Sequence, residues 1–323
     1  MTMFENEIER PKTLVQWTLG NQCNYSCVYC HEMFRKGDKH FPSEELIAEV
    51  CKDIVYHFDD LGRDVIFEFV GGEPTLSGNI REIGKRLHNH PVNIVLKTNG
   101  SADLEWWTNA KKYLSKVIIS VHKDFCDLKH IRDVISLLLS ETESHSVIVE
   151  VLIPTTQQTE HWNWAVKTLK LCRETFNVGN IQMLYSNFAR GSDTYYPYSE
   201  DQWREYSILH GLPIPQSAEK VEEKVEEKVE EKVEEKVEEK VESNPILVDL
   251  KIRNPIDFNG YTCYSGIDTL VIDSNGRMWR GWCSQGGPIG SIYELPIQFP
   301  TEPIVCGLSR CGNGFDQQAR KEC

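Results

Sequence analysis

The chain of 323 residues contains eleven cysteines, and seven of them fall into two groups. The first group, Cys23, Cys27 and Cys30, is compact, with three and then two residues between successive cysteines. Thiolates are strong ligands of iron–sulfur clusters and of zinc. Three thiolates can cap one face of a four-iron cluster and leave one iron open, whereas structural zinc needs a fourth ligand, which His31 could supply. The spacing favours the cluster.

The second group lies near the C-terminus and comprises Cys263, Cys283, Cys306 and Cys311. The first two flank a predicted β-hairpin with an Asn-Gly turn, over residues 269–282. Four thiolates around a hairpin can hold zinc or a second iron–sulfur cluster. An odd number of cysteines in a chain without an export pattern fits a disulfide framework poorly. The other four, Cys51, Cys126, Cys172 and Cys323, have no such spacing.

Polar motifs follow three of the predicted strands. They are Gly71-Gly72-Glu73-Pro74, Lys97-Thr98-Asn99-Gly100 and Ser120-Val121-His122. Paired glycines let the backbone approach a ligand closely, and Glu73 can receive a ligand ammonium group. Each motif alone is typical of an ordinary turn. Together they predict polar groups on the same rim as the first cysteine group.

Strand-like and helix-like segments alternate from residue 13 to about residue 188. The predicted strands are 14–19, 65–70, 92–97, 117–121, 147–153 and 181–185, with Pro154 expected to end the fifth. Their nearly continuous apolar runs are typical of parallel strands covered on both faces. The pattern predicts an α/β fold, a partial (β/α)6 TIM-like barrel, with its site at the carboxyl ends of the strands.

Composition divides the chain into four parts. An N-terminal extension (1–12) precedes the barrel (13–190), a connector (191–245) and a small cysteine-rich domain that contains the β-hairpin (246–323). The connector is expected to be rich in loops and contains a Lys-Val-Glu-Glu repeat over 220–242. Identical residues at i and i+4 repel in a helix, so we interpret the repeat as a solvated spacer, with a coiled coil as the alternative.

Charge and hydropathy exclude several classes of function. The formal net charge is −14, so a nucleic-acid-binding surface is not expected. No apolar run reaches the ~18 residues of a membrane span, and the acidic N-terminus lacks a signal-peptide pattern. The sequence therefore predicts a cytoplasmic protein without nucleic-acid or membrane partners.

The cysteine and strand-end motifs together resemble the radical S-adenosylmethionine superfamily. The resemblance rests on the segment from Cys23 to Cys30, on Gly71-Gly72-Glu73-Pro74, on Thr98-Asn99-Gly100 and on Ser120-Val121-His122. It covers roughly residues 13–190. It implies an enzyme in which reductive cleavage of S-adenosylmethionine yields a 5′-deoxyadenosyl radical that abstracts a substrate hydrogen. Reduced flavodoxin or ferredoxin is the implied electron donor.

The resemblance also implies roles for individual residues. Cys23, Cys27 and Cys30 would hold a [4Fe–4S] cluster whose open iron binds the amino and carboxylate groups of S-adenosylmethionine. Tyr29 and Ile153 would lie near the adenine, the Gly-Gly-Glu motif would hold the amino group, and Ser120 would face the ribose or carboxylate. The full set of candidate cofactor contacts is Tyr29, Gly71, Gly72, Glu73, Pro74, Asn99, Ser120, Ile153 and Arg190. Arg190 is included because it follows the sixth predicted strand and could pair with a carboxylate, with a surface position as the alternative.

The C-terminal cysteines resemble the auxiliary-cluster extensions called SPASM and twitch. The matching pattern is Cys263, Gly276 and Cys283, followed by Cys306 and Cys311. Six residues instead of four separate Gly276 from Cys283, and the full seven-cysteine set is absent. One auxiliary [4Fe–4S] cluster is therefore favoured over two, with zinc as the alternative.

Three functions remain open from the sequence. The favoured one is modification of a peptide or protein by radical chemistry. The second keeps the radical chemistry and changes the substrate to a small molecule. The third is an iron–sulfur protein for electron transfer or scaffolding without catalysis, against which the open three-thiolate site argues.

Overall fold

The computed structural model describes residues 10–35, 37–38, 41–77, 79–87, 90, 92–140, 146–184, 196–213, 257–311 and 313–323. Six successive strands lie side by side in chain order, and all neighbours are parallel. They are β1 (Lys12–Gly20), β2 (Asp64–Gly71), β3 (Val92–Thr98), β4 (Lys116–Ser120), β5 (Ile148–Thr155) and β6 (Asn180–Met183). The predicted α/β class and the order of the barrel strands are confirmed.

The helices that connect these strands begin where the sequence offers capping side chains. Ser43 accepts the backbone N–H of Leu46, and Asp127 accepts those of Lys129 and His130. The helices are α1 (Glu32–Arg35), α2 (Glu44–Asp60), α3 (Asn79–Leu87), α4 (Leu104–Ala110), α5 (Leu128–Leu139), α6 (Thr159–Phe176) and α7 (Glu200–Leu209).

The two faces of the sheet differ in burial. Every second strand residue, such as Trp17 and Phe67, is fully buried in one core with apolar helix residues such as Ile54. Most of the residues between them are only partly buried, and they lie on the opposite face, which we call the inner face. Its polar members on β1 to β5 include Gln16, Glu68, Lys97, Lys116, Ser120 and Glu150.

The described part of the C-terminal region, from residue 257 onward, contributes six short strands. They are β7 (Thr262–Cys263), β8 (Thr269–Ile272), β9 (Arg277–Trp279), β10 (Pro288–Ser291), β11 (Ile304–Val305) and β12 (Lys321–Glu322). The predicted hairpin is β8–β9, and β8 pairs in parallel with β1. The hairpin thus extends the barrel sheet, which the sequence did not predict, while β11, β7 and β12 form a separate small sheet.

An ion-pair cluster around the buried Asp268 fastens the C-terminal region to the barrel. The Asp268 carboxylate lies 2.9 Å from Arg63 and 2.9 Å from Arg320. Arg63 also donates to the Thr13 hydroxyl, and the Asp268 carbonyl accepts the N–H of Leu14. These bonds fix the start of β8 beside β1.

Two local predictions were wrong. β5 does not stop before Pro154 but runs on to Thr155. Its pairing with β4 ends at Leu152, so the proline lies where only β6 is a partner and its missing N–H disrupts little. The connector, predicted to be rich in loops, contains α7, whose start is a capping box of Ser199 and Gln202. Arg190 and the repeat over 220–242 lie outside the described residues.

Candidate functional site at the carboxyl ends of the strands

The first cysteine group lies on the loop that leaves β1. Cys27 is nearly fully buried, and its carbonyl accepts the N–H of Cys30 at 3.0 Å. The Tyr25 N–H lies 3.3 Å from the Cys23 sulfur. Burial raises the pKa of Cys27 to about 12, so its thiolate needs a nearby positive charge such as a bound metal.

Aromatic rings join this loop to the end of β4. Tyr29 stacks on His122 with ring centroids 5.9 Å apart, and its hydroxyl lies 2.8 Å from His122 Nδ1. Burial lowers the pKa of His122 to about 4, so the imidazole that shares this hydrogen bond with Tyr29 is neutral. Tyr25 stacks on Phe125, and His161 meets the Tyr29 ring edge-on. The rings shield the cysteine loop from water on this side.

The two glycines of the Gly-Gly-Glu-Pro motif pack directly on the chain that leads to Cys23. A Cβ on Gly71 would lie 2.3 Å from the Gly20 carbonyl oxygen, and one on Gly72 would lie 2.0 Å from that of Gln22. Gly71 has a φ of +147°. The glycines therefore serve the close approach of two backbone segments.

The carboxylate of Glu73 connects the ends of β2 and β3. It is fully buried, and its Oε1 accepts the Thr75 N–H, the Thr75 hydroxyl and the Thr98 hydroxyl at 3.0, 2.7 and 2.7 Å. Its Oε2 accepts the backbone N–H of Asn99 at 2.7 Å. Burial raises the pKa of Glu73 despite these bonds. Oε1 already takes three bonds and Oε2 only one, so Oε2 is the oxygen with more room to accept from a ligand ammonium group.

The side chain of Asn99 faces the cysteine loop. Its Nδ2 donates to Asn24 at 2.9 Å and lies 3.9 Å from the Cys23 sulfur. Its Oδ1 accepts the N–H of Ser101. The structure therefore brings Asn99, Glu73 and the cysteine loop together, as the sequence predicted.

The remaining predicted contacts differ in position. Ser120 is half-buried at the end of β4, on the inner face, and Pro74 is buried at the start of a short 3-10 turn. The Ile153 side chain is fully buried in the main core, which leaves its backbone as the group that can meet the adenine. Arg190 cannot be placed because it lies outside the described residues.

Sequence reasoning missed Thr156 and His161, which follow β5. Both side chains are more than nine-tenths buried, and Thr156 Oγ1 and His161 Nδ1 have no hydrogen-bond partner among the described residues. Buried polar atoms are normally paired, so a polar ligand is expected here. The resemblance puts the adenine of S-adenosylmethionine beside β5, and its ring nitrogens and amino group suit these two atoms. The available signal was that Thr156 directly follows β5 and that His161 lies in the first turn of the next helix.

The second cysteine group lines a single pocket. Cys263, Cys283, Cys306 and Cys311 all border a space of about 340 Å³, open solvent included. Burial raises the pKa of Cys283 to about 11 and that of Cys311 to about 12. The pocket is also lined by Ser265, whose buried hydroxyl has no hydrogen-bond partner among the described residues.

Asp316 holds the turn that carries Cys283. Its two carboxylate oxygens accept the backbone N–H groups of Trp282 and Cys283 at 2.7 and 2.6 Å. A Cβ on Gly281 would lie 2.8 Å from this carboxylate, so the glycine permits the approach. Burial raises the pKa of Asp316, while Lys321 opposes the rise.

The donor sets fit the clusters that the sequence predicts. Three thiols on one loop beside two unpaired polar atoms suit a cluster with an open iron and an adenosyl ligand. Four thiols and an unpaired hydroxyl around one pocket suit a cluster with four protein ligands, since hydroxyl groups can donate to cluster sulfurs. Within the described ranges, no three His, Cys, Asp or Glu side chains are grouped closely enough to hold a single metal ion.

Comparison with known proteins agrees with this geometry. The model of the Radical SAM superfamily matches residues 17–185. "Probable GTP 3',8-cyclase" of Thermococcus kodakarensis is 33% identical over 121 residues, which cover 37% of this chain and 38% of that protein. "Mycofactocin maturase MftC" of Mycolicibacterium smegmatis is 34% identical over 99 residues, 30% of this chain and 23% of that protein. Each match spans less than two thirds of the relative's length.

Two solved structures share the fold. Streptococcus suis SuiB superposes with a TM-score of 0.53 at 13% identity, over 89% of this chain and 65% of that one. The protein anSMEcpe, solved with bound AdoMet, superposes with a TM-score of 0.51 at 17% identity, over 87% of this chain and 75% of that one.

No helix in the described part of the chain combines the length and apolar character needed to cross a bilayer. Since the family model spans just over half of the chain, this protein belongs to the radical SAM superfamily, whose enzymes use a [4Fe–4S] cluster and S-adenosylmethionine.

Proposed function

We propose that this enzyme abstracts a hydrogen atom from a peptide or protein substrate and that Cys263, Cys283, Cys306 and Cys311 hold a second [4Fe–4S] cluster. The observation that carries the proposal is the connection between the two halves of the chain. The indole N–H of Trp282, next to Cys283, donates to the Gln16 side chain on the inner face at 2.5 Å. A cluster in the C-terminal pocket would thus lie next to a group that reaches the inner face of the barrel sheet.

The residues at the strand ends would bind and orient the cofactor. Cys23, Cys27 and Cys30 would hold the first cluster, and Glu73 Oε2 would accept from the amino group of S-adenosylmethionine. Once bound and reduced, the cluster and S-adenosylmethionine supply a carbon radical able to remove hydrogen. Tyr29 and His122 exclude water from this side, which protects so reactive a species.

The remaining predicted cofactor contacts belong to the same proposal. The backbone of Gly71 and Gly72 would approach the amino group, and Ser120 would face the ribose or carboxylate. Pro74 and Asn99 would fix the shape of the site, and Ile153 would offer its backbone to the adenine. Arg190 is proposed as a partner of the carboxylate on sequence grounds alone.

Two similar proteins support a peptide substrate. SuiB has been solved bound to its precursor peptide SuiA, and this structure superposes with a TM-score of 0.52 at 12% identity. MftC is named a maturase. The alternative is a small-molecule substrate, which the name of the cyclase relative favours. A non-catalytic iron–sulfur protein is the third possibility, and turnover separates it from the other two.

We also propose a division of the chain into four parts. Residues 13–190 would form the catalytic barrel, 191–245 the connector and 246–323 the region of the second cluster, with 1–12 as an N-terminal extension. Reduced flavodoxin or ferredoxin is proposed as the electron donor on the grounds of the resemblance alone.

The test is anaerobic reconstitution with iron and sulfide, followed by reduction, addition of S-adenosylmethionine and assay for 5′-deoxyadenosine. About eight irons per chain and formation of 5′-deoxyadenosine are expected if two four-iron clusters are present. Zinc in the C-terminal pocket would contradict the second cluster. Bound iron without 5′-deoxyadenosine, with flavodoxin, ferredoxin and a chemical reductant, would favour the non-catalytic alternative.

A further inference from the structure

Three polar side chains on the inner face form a bonded row that the cofactor site does not use. Gln16 Nε2 donates to Glu68 Oε1 at 2.5 Å, and Lys97 Nζ donates to the same oxygen at 3.1 Å. The indole of Trp282 bonds to Gln16 Oε1 at one end of the row. We call Gln16, Glu68 and Lys97 the inner strip. It crosses β1, β2 and β3, and its Lys97 directly precedes the Thr98-Asn99 segment that Glu73 holds.

The inner strip retains capacity for a ligand. The side chains of Glu68 and Lys97 are 18% and 38% exposed. Glu68 Oε2 has no hydrogen-bond partner among the described residues, and the Lys97 ammonium uses one of its three donors. The strip therefore presents a free carboxylate oxygen next to free ammonium hydrogens. A peptide group, with one N–H and one C=O, offers the complementary pair.

The charges on the inner face favour a neutral or cationic substrate over a polyanionic one such as a nucleoside triphosphate. The lysines on this face of β1 to β5 are Lys12, Lys97 and Lys116. Lys97 pairs with Glu68 at 3.1 Å and Lys116 with Glu150 at 2.7 Å, while Lys12 lies opposite Asp64 in the register of β1 and β2. The described strands thus carry no net positive charge on this face. A nucleoside triphosphate needs several unpaired cationic groups, because phosphates are held by charge-assisted bonds from Lys and Arg. This face lacks such groups on its described strands, so it suits a neutral or cationic ligand better than a polyanion.

We propose that the inner strip binds the backbone of a neutral or cationic peptide substrate, with Glu68 Oε2 accepting a peptide N–H and Lys97 donating to a peptide C=O. The proposal rests on the proposed function and specifies its substrate class. Trp282 holds Gln16 and thereby fixes the Glu68 carboxylate, so it acts as a positioning residue for the strip. Through Trp282, the strip also adjoins the turn that carries Cys283.

The test uses the reconstituted full chain with S-adenosylmethionine under anaerobic conditions. A displayed library of short random peptides is panned against it, and the enriched peptides are measured for affinity by fluorescence anisotropy. GTP is the polyanionic probe and is measured by equilibrium dialysis. The variants are Glu68→Gln and Lys97→Met, and the matched control is Glu82→Gln, whose ion pair with Lys85 lies on α3, outside the barrel.

Enriched peptides of zero or positive net charge are expected. Glu68→Gln should weaken their binding about tenfold, the usual loss for one hydrogen bond to a charged group, and Glu82→Gln should leave it unchanged. Lys97→Met should also weaken it. The proposal is wrong if no peptide is enriched, if Glu68→Gln has no effect, or if GTP binds saturably and Lys97→Met abolishes that binding. Cleavage of S-adenosylmethionine without peptide is assayed in the same preparation, so that failure of the proposed function is recognised separately.

Discussion

The Oε2 atom of Glu73 accepts the backbone N–H of Asn99 at 2.7 Å, and this bond joins two strand ends that the sequence presents as separate motifs. The same carboxylate takes three further bonds from Thr75 and Thr98. Asn99 in turn contacts the cysteine loop through Asn24. Glu73 is therefore the residue through which the Gly-Gly-Glu-Pro motif fixes the shape of the cofactor site.

Replacement of Glu73 by glutamine tests this role. The amide nitrogen of glutamine cannot accept a hydrogen bond, so one of the buried N–H or O–H donors loses its partner. We expect the free energy of unfolding of the apo protein to fall by about 2 kcal/mol, with weaker binding of S-adenosylmethionine to the reconstituted protein. Urea unfolding and equilibrium dialysis measure the two effects. Glu82→Gln on α3 is the control, and equal stability of the two variants would contradict the structural role.

The close approach of Gly72 to Gln22 gives a second prediction. In Gly72→Ala the new methyl group would lie 2.0 Å from a backbone oxygen, so the segment that leads to Cys23 must shift. We expect a loss of about 1–3 kcal/mol in stability and poor retention of iron by the first cluster. Gly290→Ala, where a Cβ meets nothing within 4 Å, is the matched control. Full iron content in Gly72→Ala would show that the glycine is not needed for packing.

The barrel strands could be predicted from sequence because each is a local apolar run, and the helices because Ser43 and Asp127 are recognisable caps. The pairing of β8 with β1 could not be predicted. It joins residues more than 250 positions apart, and local periodicity contains no information about such a partner. Likewise, α7 was missed because the Pro and Tyr residues around it outweighed its capping box.

In the candidate site, too, some residues could be predicted from the sequence and others could not. The cysteines and Glu73 were found because their spacing is a motif. Thr156, His161 and the inner strip were not, because their significance lies in an absent partner or an exposed position within the fold. Neither property can be read from residue types along the chain.

Selective loss of iron distinguishes the two cysteine groups. Cys27→Ala removes a ligand of the first group, so we expect loss of about four of eight irons and of all 5′-deoxyadenosine formation. Cys283→Ala should lose a similar amount of iron yet still form 5′-deoxyadenosine, because the first cluster is intact. Cys126→Ala, outside both groups, is the control. Iron analysis and product chromatography on the three variants measure these losses. Unchanged iron in Cys283→Ala would contradict the second cluster.

Asp316→Asn tests the support of the second site. Asparagine keeps one acceptor oxygen and loses the other, so the N–H of Trp282 or of Cys283 is left without a partner. We expect iron of the second cluster to be removed several-fold faster by a chelator, with 5′-deoxyadenosine formation without substrate unchanged. Asp273→Asn, on the hairpin turn away from the pocket, is the control. Equal chelation rates in the two variants would mean that the carboxylate does not hold the turn.

The buried His122 predicts a pH dependence of the apo protein's stability. Burial lowers its pKa to about 4 in the folded state, whereas an unfolded histidine titrates near 6.5. Between these values the unfolded chain binds a proton that the folded chain does not, so this contribution to stability is complete above about pH 6.5 and is lost as the pH falls toward 4. The loss of stability amounts to about 3 kcal/mol once the pH has fallen to about 4.

Replacement of His122 tests this pH dependence. In His122→Gln the fall in stability between pH 7 and 4.5, measured by urea unfolding, should be smaller than in the wild type. A His122→Gln profile parallel to the wild type would show that this imidazole is not held neutral by the fold.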